Sequence, residues 1–174
     1  GSDSGVTLVD LEDTLAPDPG DAIGLSAPAL TLALIDTRIA VGTAAGLVIV
    51  DPARGQGSAL YDADGNGVDD RIVQSFYPGT RFVAVSLDGA RLVAGSDDGR
   101  LYLFRTTASD VRFESQVTLA ATALTDLVVR ANVAYIARGA GGVARVSLGS
   151  PGGITASDAT VDVVHIAARG ELLL

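Results

Sequence analysis

The chain reads as short segments in which apolar residues alternate with small or polar ones, separated by turns rich in glycine and aspartate. Three stretches show this most fully: "RIAVGTAAGLVIVDP" (38–52), "RLVAGSDDGRLYLFR" (91–105) and "VAYIARGAGGVARVSL" (133–148). Each holds an apolar strand, a small polar turn with glycine, and a second alternating strand, which is the signature of a β-hairpin. The turn glycine supplies the positive φ that a tight reversal needs. Upstream of each hairpin lies another apolar strand, "LTLALID", "RFVAVSLDG" or "LTDLVVRAN". Downstream lies a more polar one, such as "DRIVQSF" or "RFESQVTLA". Segment 113–129 partly fits a helical period, but its β-branched content and its place in the repeat predict two strands with a turn near Ala120–Ala123.

Four strands per unit, repeated, predict the blades of a β-propeller, with the first strand of each blade innermost and the last most polar. The glycine entering the third strand marks the phase. Gly5, Gly46, Gly99 and Gly142 are 41, 53 and 43 residues apart, and joining the end to the start adds a step of 37. The final "ARGELLL" matches the start of "GARLVAG", and the opening "GSDSGVTLVDL" matches "GSDDGRLYLFR". These phases predict an all-β domain spanning 1–174, four blades of four antiparallel strands, closed by pairing of the N- and C-terminal segments. Closure would remove exposed sheet edges. The alternative is a window from a longer repeat array.

The longest interval, Gly46 to Gly99, contains "DADGNGVDD" (62–70), so a loop at about 61–71 is expected between the third and fourth strands of one blade. A hard cation takes six to eight oxygens, and side chains at alternate positions of a tight loop converge on one point. Asp62, Asp64 and Asn66 would supply side-chain oxygens, Val68 its carbonyl, and Asp70 would close the ring directly or through water. Without a cation these carboxylates repel one another. Position 12 of the loop is Val73, so the bidentate glutamate of an EF-hand is missing, and the affinity could lie anywhere from micromolar to millimolar. Calcium is the expected ion, ordering the loop rather than doing chemistry. The acidic stretch 10–21 could offer a second cation site but is expected to be a solvated connector, with Pro17 and Pro19 excluding a central strand.

Composition narrows the functional classes. The net charge of −9 argues against nucleic acid and against an anionic membrane surface, and no apolar run is long enough to insert in a bilayer. With no cysteine, thiol catalysis and thiolate metal sites are excluded; all twelve basic residues are arginine, which excludes Schiff-base chemistry. The single histidine, His165, falls on an expected innermost strand, where a packed or channel-lining role is expected before a catalytic one. Asp126, Arg130 and Asp162 also sit near expected inner strands and could line a channel, but are expected to be simply solvated. No G-x-S-x-G elbow is present to partner it.

The residues also carry family resemblances. "GLVIVD" (46–51) is, letter for letter, the core of the LVIVD repeats, propeller-type repeats of mainly bacterial and archaeal surface or secreted proteins. "FVAVSLDGARLVAGSDDGRLYLF" (82–104) resembles blades of the WD40 and quinoprotein-like propellers, and 62–70 resembles the D-x-D-x-N/D-G-x-x-D loops of thrombospondin type 3 and FG-GAP proteins. Together these imply a calcium-stabilised propeller, extracellular, at the cell surface or periplasmic. It is expected to be a monomer if its ring is closed, and to bind a protein or glycan partner without catalysis. The competing readings are a hydrolase or lyase with a metal in the channel, and a subunit of a surface assembly.

Overall fold

A computed structural model describes residues 5–10, 18–54, 62, 64–119, 123–149, 154–158, 162–169 and 172–173. Every element among them is a strand. β1 (Gly5–Asp10) pairs with β2 (Asp18–Gly24). Three four-stranded antiparallel blades follow. The first is β3 (Ala29–Ile35), β4 (Arg38–Thr43), β5 (Gly46–Val50) and β6 (Ile72–Phe76). The second is β7 (Phe82–Asp88), β8 (Arg91–Ser96), β9 (Arg100–Thr106) and β10 (Val111–Thr118). The third is β11 (Asp126–Arg130), β12 (Val133–Ala137), β13 (Val143–Ser147) and β14 (Ile154–Asp158). A short ladder of β15 (Ala168–Arg169) and β16 (Leu172–Leu173) ends the described chain.

The phase glycines fall where the repeat places them: Gly5 and Gly46 open β1 and β5, and Gly99 and Gly142 immediately precede β9 and β13. Segment 113–129 contains strand on both sides, β10 and β11, while most of its expected turn lies outside the described residues. Two differences from expectation stand out. β1–β2 and β15–β16 are separate ladders, and the pairing expected between the two chain ends is not among the described ones. The connector expected over 10–21 is shorter, because β2 already begins at Asp18; Pro19 is tolerated there because β2 pairs on one side only. Residues 11–17 of that stretch lie outside the described residues.

Strand alternation sends successive side chains to opposite faces of a blade, and here both faces are buried. Leu101 and Leu103 of β9 pack towards the third blade, with Leu127, Ile136 and Val146. Their neighbours Tyr102 and Phe104 pack towards the first blade, with Ile35, Leu47 and Ile49. On the first blade, Ile39, Val41 and Val50 turn the other way, onto Ile23 of β2 and Leu25. All four phenylalanines join Tyr77 and Tyr102 in a cluster between the first two blades, with ring centroids as close as 4.5 Å for Tyr77 and Tyr102. Burial pushes the Tyr77 phenol above its ordinary pKa.

Polar staples repeat from junction to junction. Arg38, which opens β4, donates to the Thr107 carbonyl of the second blade; Arg91, which opens β8, donates to the Leu148 carbonyl of the third at 3.0 Å. Between inner strands, Thr31 Oγ1 accepts from Val85 N at 3.2 Å and Ser86 Oγ from Val129 N at 2.9 Å. On the outside, the Gln74 amide both donates to the Val111 carbonyl and accepts from the Val111 N–H, at 3.0 Å each. The blades approach closely where small residues end the second strands. A Cβ on Gly42 would sit 2.6 Å from Thr31 Cγ2 and 3.1 Å from both the Phe82 Cβ and its backbone oxygen. Gly42→Ala should therefore cost about 1–3 kcal/mol by overpacking, read as a lower urea midpoint with an unchanged slope.

Candidate functional site

The loop joining β5 to β6 is built around short Asx-type hydrogen bonds. The Asp62 carboxylate accepts from Asn66 N and Gly67 N, both at 2.7 Å. Asp64 accepts from Asn66 N at 3.1 Å and from Asn66 Nδ2 at 2.9 Å, and Asn66 Oδ1 accepts from Val68 N at 2.7 Å. These bonds need the chain to reverse twice within four residues. Gly65 and Gly67 do this at φ of 72° and 79°, the left-handed region open to glycine. Tyr61 and Ala63 lie outside the described residues.

The arrangement brings Asp62, Asp64 and Asn66 together at the loop tip, with Asp64, Asn66 and Val68 exposed. Among the described residues no three acidic or histidine side chains gather as a ready metal cluster. The donor set is all oxygen, as a hard cation requires, and the loop is already curled about the Asp62 carboxylate. A cation there would be held first by Asp62, Asp64 and Asn66, with Asp70 brought in to complete the shell.

A neighbour of the expected ligands holds the loop in place. Asp69 accepts from Arg71 Nε at 2.9 Å and Arg71 Nη2 at 2.6 Å, and Arg71 also donates to the Ala22 carbonyl of β2 at 2.9 Å. Arg71 is buried, at 3% exposure, so the pair works in low dielectric and ties the loop to the preceding sheet. The Arg71 hydrogen bonds are the largest cause holding the Asp69 carboxyl below its ordinary pKa, against the opposing effect of burial. Sequence reading missed this clamp. Its one signal is the Asp-x-Arg spacing just before an apolar strand, which does not reveal that the guanidinium is buried against another sheet.

With the loop held so, a cleft of about 430 Å³ opens between it and the β2–β3 connector. Leu25, Val48, Val68 and Ile72 give it apolar walls, while Asp62 and Ser26 bring polar groups. The sequence pattern held no signal of this cleft, because its walls come from four separate segments: the β2–β3 connector, β5, the β5–β6 loop and β6.

His165 departs from expectation. The segment 162–167 forms a single bridge, Gly139 to Val163, rather than a full inner strand, and the His165 side chain is 85% exposed. Its Nδ1 lies 3.4 Å from Asp126 Oδ2, which also accepts from Ile166 N at 3.1 Å, while Asp126 Oδ1 accepts from Leu127 N. Arg130 ends β11 exposed, and Asp162 is exposed. Asp126 therefore anchors the backbone at Leu127 and Ile166, with the exposed His165 ring beside it.

No known family model matches the chain, and no curated protein matches its sequence. The likeness of 46–51 to LVIVD repeats is thus one of motif. Among solved structures, the chain is similar to the computationally designed Ika4 protein at 15% identity and a TM-score of 0.63, over 86% of this chain and 85% of that one. It is similar to the designed Ika8 protein at 13% and 0.66, over 90% and 45%, and to Saccharomyces cerevisiae Sqt1 at 15% and 0.61, over 83% and 39%. The chain spans less than half the length of the latter two. Together with the antiparallel blades, these likenesses show an all-β propeller fold.

Two outcomes test the clamp. Arg71→Leu leaves Asp69 mostly buried without its counter-charge and should cost about 3–5 kcal/mol in chemical unfolding. Because the folded-state pKa of Asp69 is depressed, its contribution is complete above about pH 4 and is lost as the pH falls through the folded value. Asp69→Asn should accordingly flatten the fall in stability on the acid side, measured as melting temperature between pH 5 and pH 2.

Proposed function

We propose that this protein is a non-enzymatic binding module, a propeller whose calcium-ordered loop frames a recognition cleft for an apolar side chain of a partner protein. The observation that carries the reading is the cleft itself: aliphatic walls beside a loop whose tip is acidic and whose base is clamped. An aliphatic cleft suits a protein anchor residue, the kind that dominates interface energetics. Among the described residues, its walls offer no aromatic ring on which a sugar could stack, which favours protein over glycan.

Calcium enters because the loop has the ligand types, the spacing and the two left-handed glycines of a cation loop. In binding, it would neutralise the Asp62–Asp64 repulsion and stiffen the lip that carries Val68. A site without bidentate closure fills most readily where calcium is millimolar, which supports an extracellular or surface setting, as does the motif likeness to LVIVD repeats. The hydrolase or lyase reading has less support, since Asp126, the carboxylate nearest His165, is engaged by two backbone N–H groups.

Thermal unfolding in about 2 mM calcium, against excess chelator and a magnesium control, tests the ion. A site of about 10 µM affinity gives roughly 3 kcal/mol by mass action, a rise of about 6–12 °C in midpoint. Asp62→Asn with Asp64→Asn should abolish the rise, and an unchanged midpoint in wild type would overturn the calcium reading. A displayed peptide library panned on the protein in calcium tests the cleft. It should return peptides with an aliphatic anchor that no longer bind Val68→Asp or the chelated protein; binders indifferent to both would overturn it.

A further inference from the structure

Three exposed leucines lie along one face of β3: Leu30, Leu32 at 57% exposure and Leu34 at 65%. Their position in the ladder makes this unusual. Leu32 pairs with Val41 and Leu34 with Ile39, so they share a face with two residues buried beneath Ile23 and Leu25. The apolar face of the first blade is thus covered over β4 and β5 and left open over its innermost strand. An uncovered continuation of a buried interface marks a seat for another element.

Register identifies what fits it. The last pairs of the inner hairpins are Ile35–Arg38, Asp88–Arg91 and Arg130–Val133, and at the chain end Arg169–Leu172. Counted from those pairs, the contact from Asp126 to Ile166 N is equivalent to the contact from Thr31 to Val85 N. Segment 162–169 therefore stands in the register of a fourth inner strand, laid against β11. Counted in the same way, His165 occupies the acceptor position of Thr31 and Asp126, and Leu32 occupies the donor position of Val85 and Ile166. Each copy thus carries two half-junctions: an acceptor, His165, that is 85% exposed, and a donor strand, β3, with its leucines open.

We propose that the Leu30–Leu34 face of β3 is the seat for segment 162–169 of a second copy of this chain, two copies joining head to tail into one closed ring. Surfaces at opposite ends of one chain are heterologous, and such contacts are satisfied only if they close. A pair of copies fills both seams at once. His165 Nδ1 faces Asp126, which leaves Nε2 of the neutral ring to accept the Leu32 N–H of the other copy.

The chain has no cysteine, so a disulfide can report the contact without background. Chains carrying only Leu32→Cys, mixed with chains carrying only His165→Cys and oxidised, should give a cross-linked species of about twice the 17.6 kDa chain mass, while neither variant alone does so. Sedimentation equilibrium of wild type should give a dimer. Leu32→Thr with Leu34→Lys, at exposed positions that leave the strand spectrum unchanged, should give a monomer. Cross-linking confined to the double variant within one chain would overturn the proposal in favour of self-closure. A wild-type monomer, or an open-ended series of larger species, would also overturn it.

Discussion

The structure depends on the need of each blade to bury two faces. A four-stranded sheet whose side chains alternate between Leu101 and Tyr102, or between Leu103 and Phe104, has no polar face to offer solvent. It is stable only between two others, so the repeat is a physical requirement of the pattern rather than an ornament of the sequence. The narrow spacing at Gly42 and Gly95 follows from the same need, because blades packed face to face meet most closely near the innermost strands. The polar staples then set angle and register. Apolar burial is non-directional, whereas a guanidinium from Arg38 or Arg91 on a carbonyl of the next blade is not.

That division of labour extends to the loop between β5 and β6. Its base is fixed by Arg71, which belongs to the blade-to-blade contacts as much as to the loop, since it reaches the Ala22 carbonyl. Its tip is a self-contained set of turns that faces solvent. A cation arriving at such a tip would relieve the repulsion between its carboxylates. The cleft exists because the base is held while the tip projects. Function on a propeller scaffold resides in such additions, and the fold by itself does not specify them.

The chain's own ends are where the rule of two buried faces is strained. Outer strands β1 and β2 cover the outer half of the first blade, while its inner half carries the exposed leucines of β3. At the other end, segment 162–167 covers part of the third blade through Asp126 and Gly139. The first blade is thus left with part of one face uncovered, over Leu32 and Leu34.

The sequence alone determined the strands, their grouping in fours and the position of the 62–70 loop. Each of these is written in local periods: alternation of two, hairpin turns at the phase glycines, and oxygen side chains at alternate loop positions. Tertiary structure decided the rest. Arg71 looks like any surface arginine until β2 is laid against it, and Leu25, Val48, Val68 and Ile72 form a wall only when four separate segments meet. His165 sits in a segment patterned as a strand, yet it is exposed beside Asp126, because strand formation needs a partner on the far side as well as a pattern. Periodicity reports which way a side chain points; what it points at depends on residues far away in the chain, and only packing brings those together.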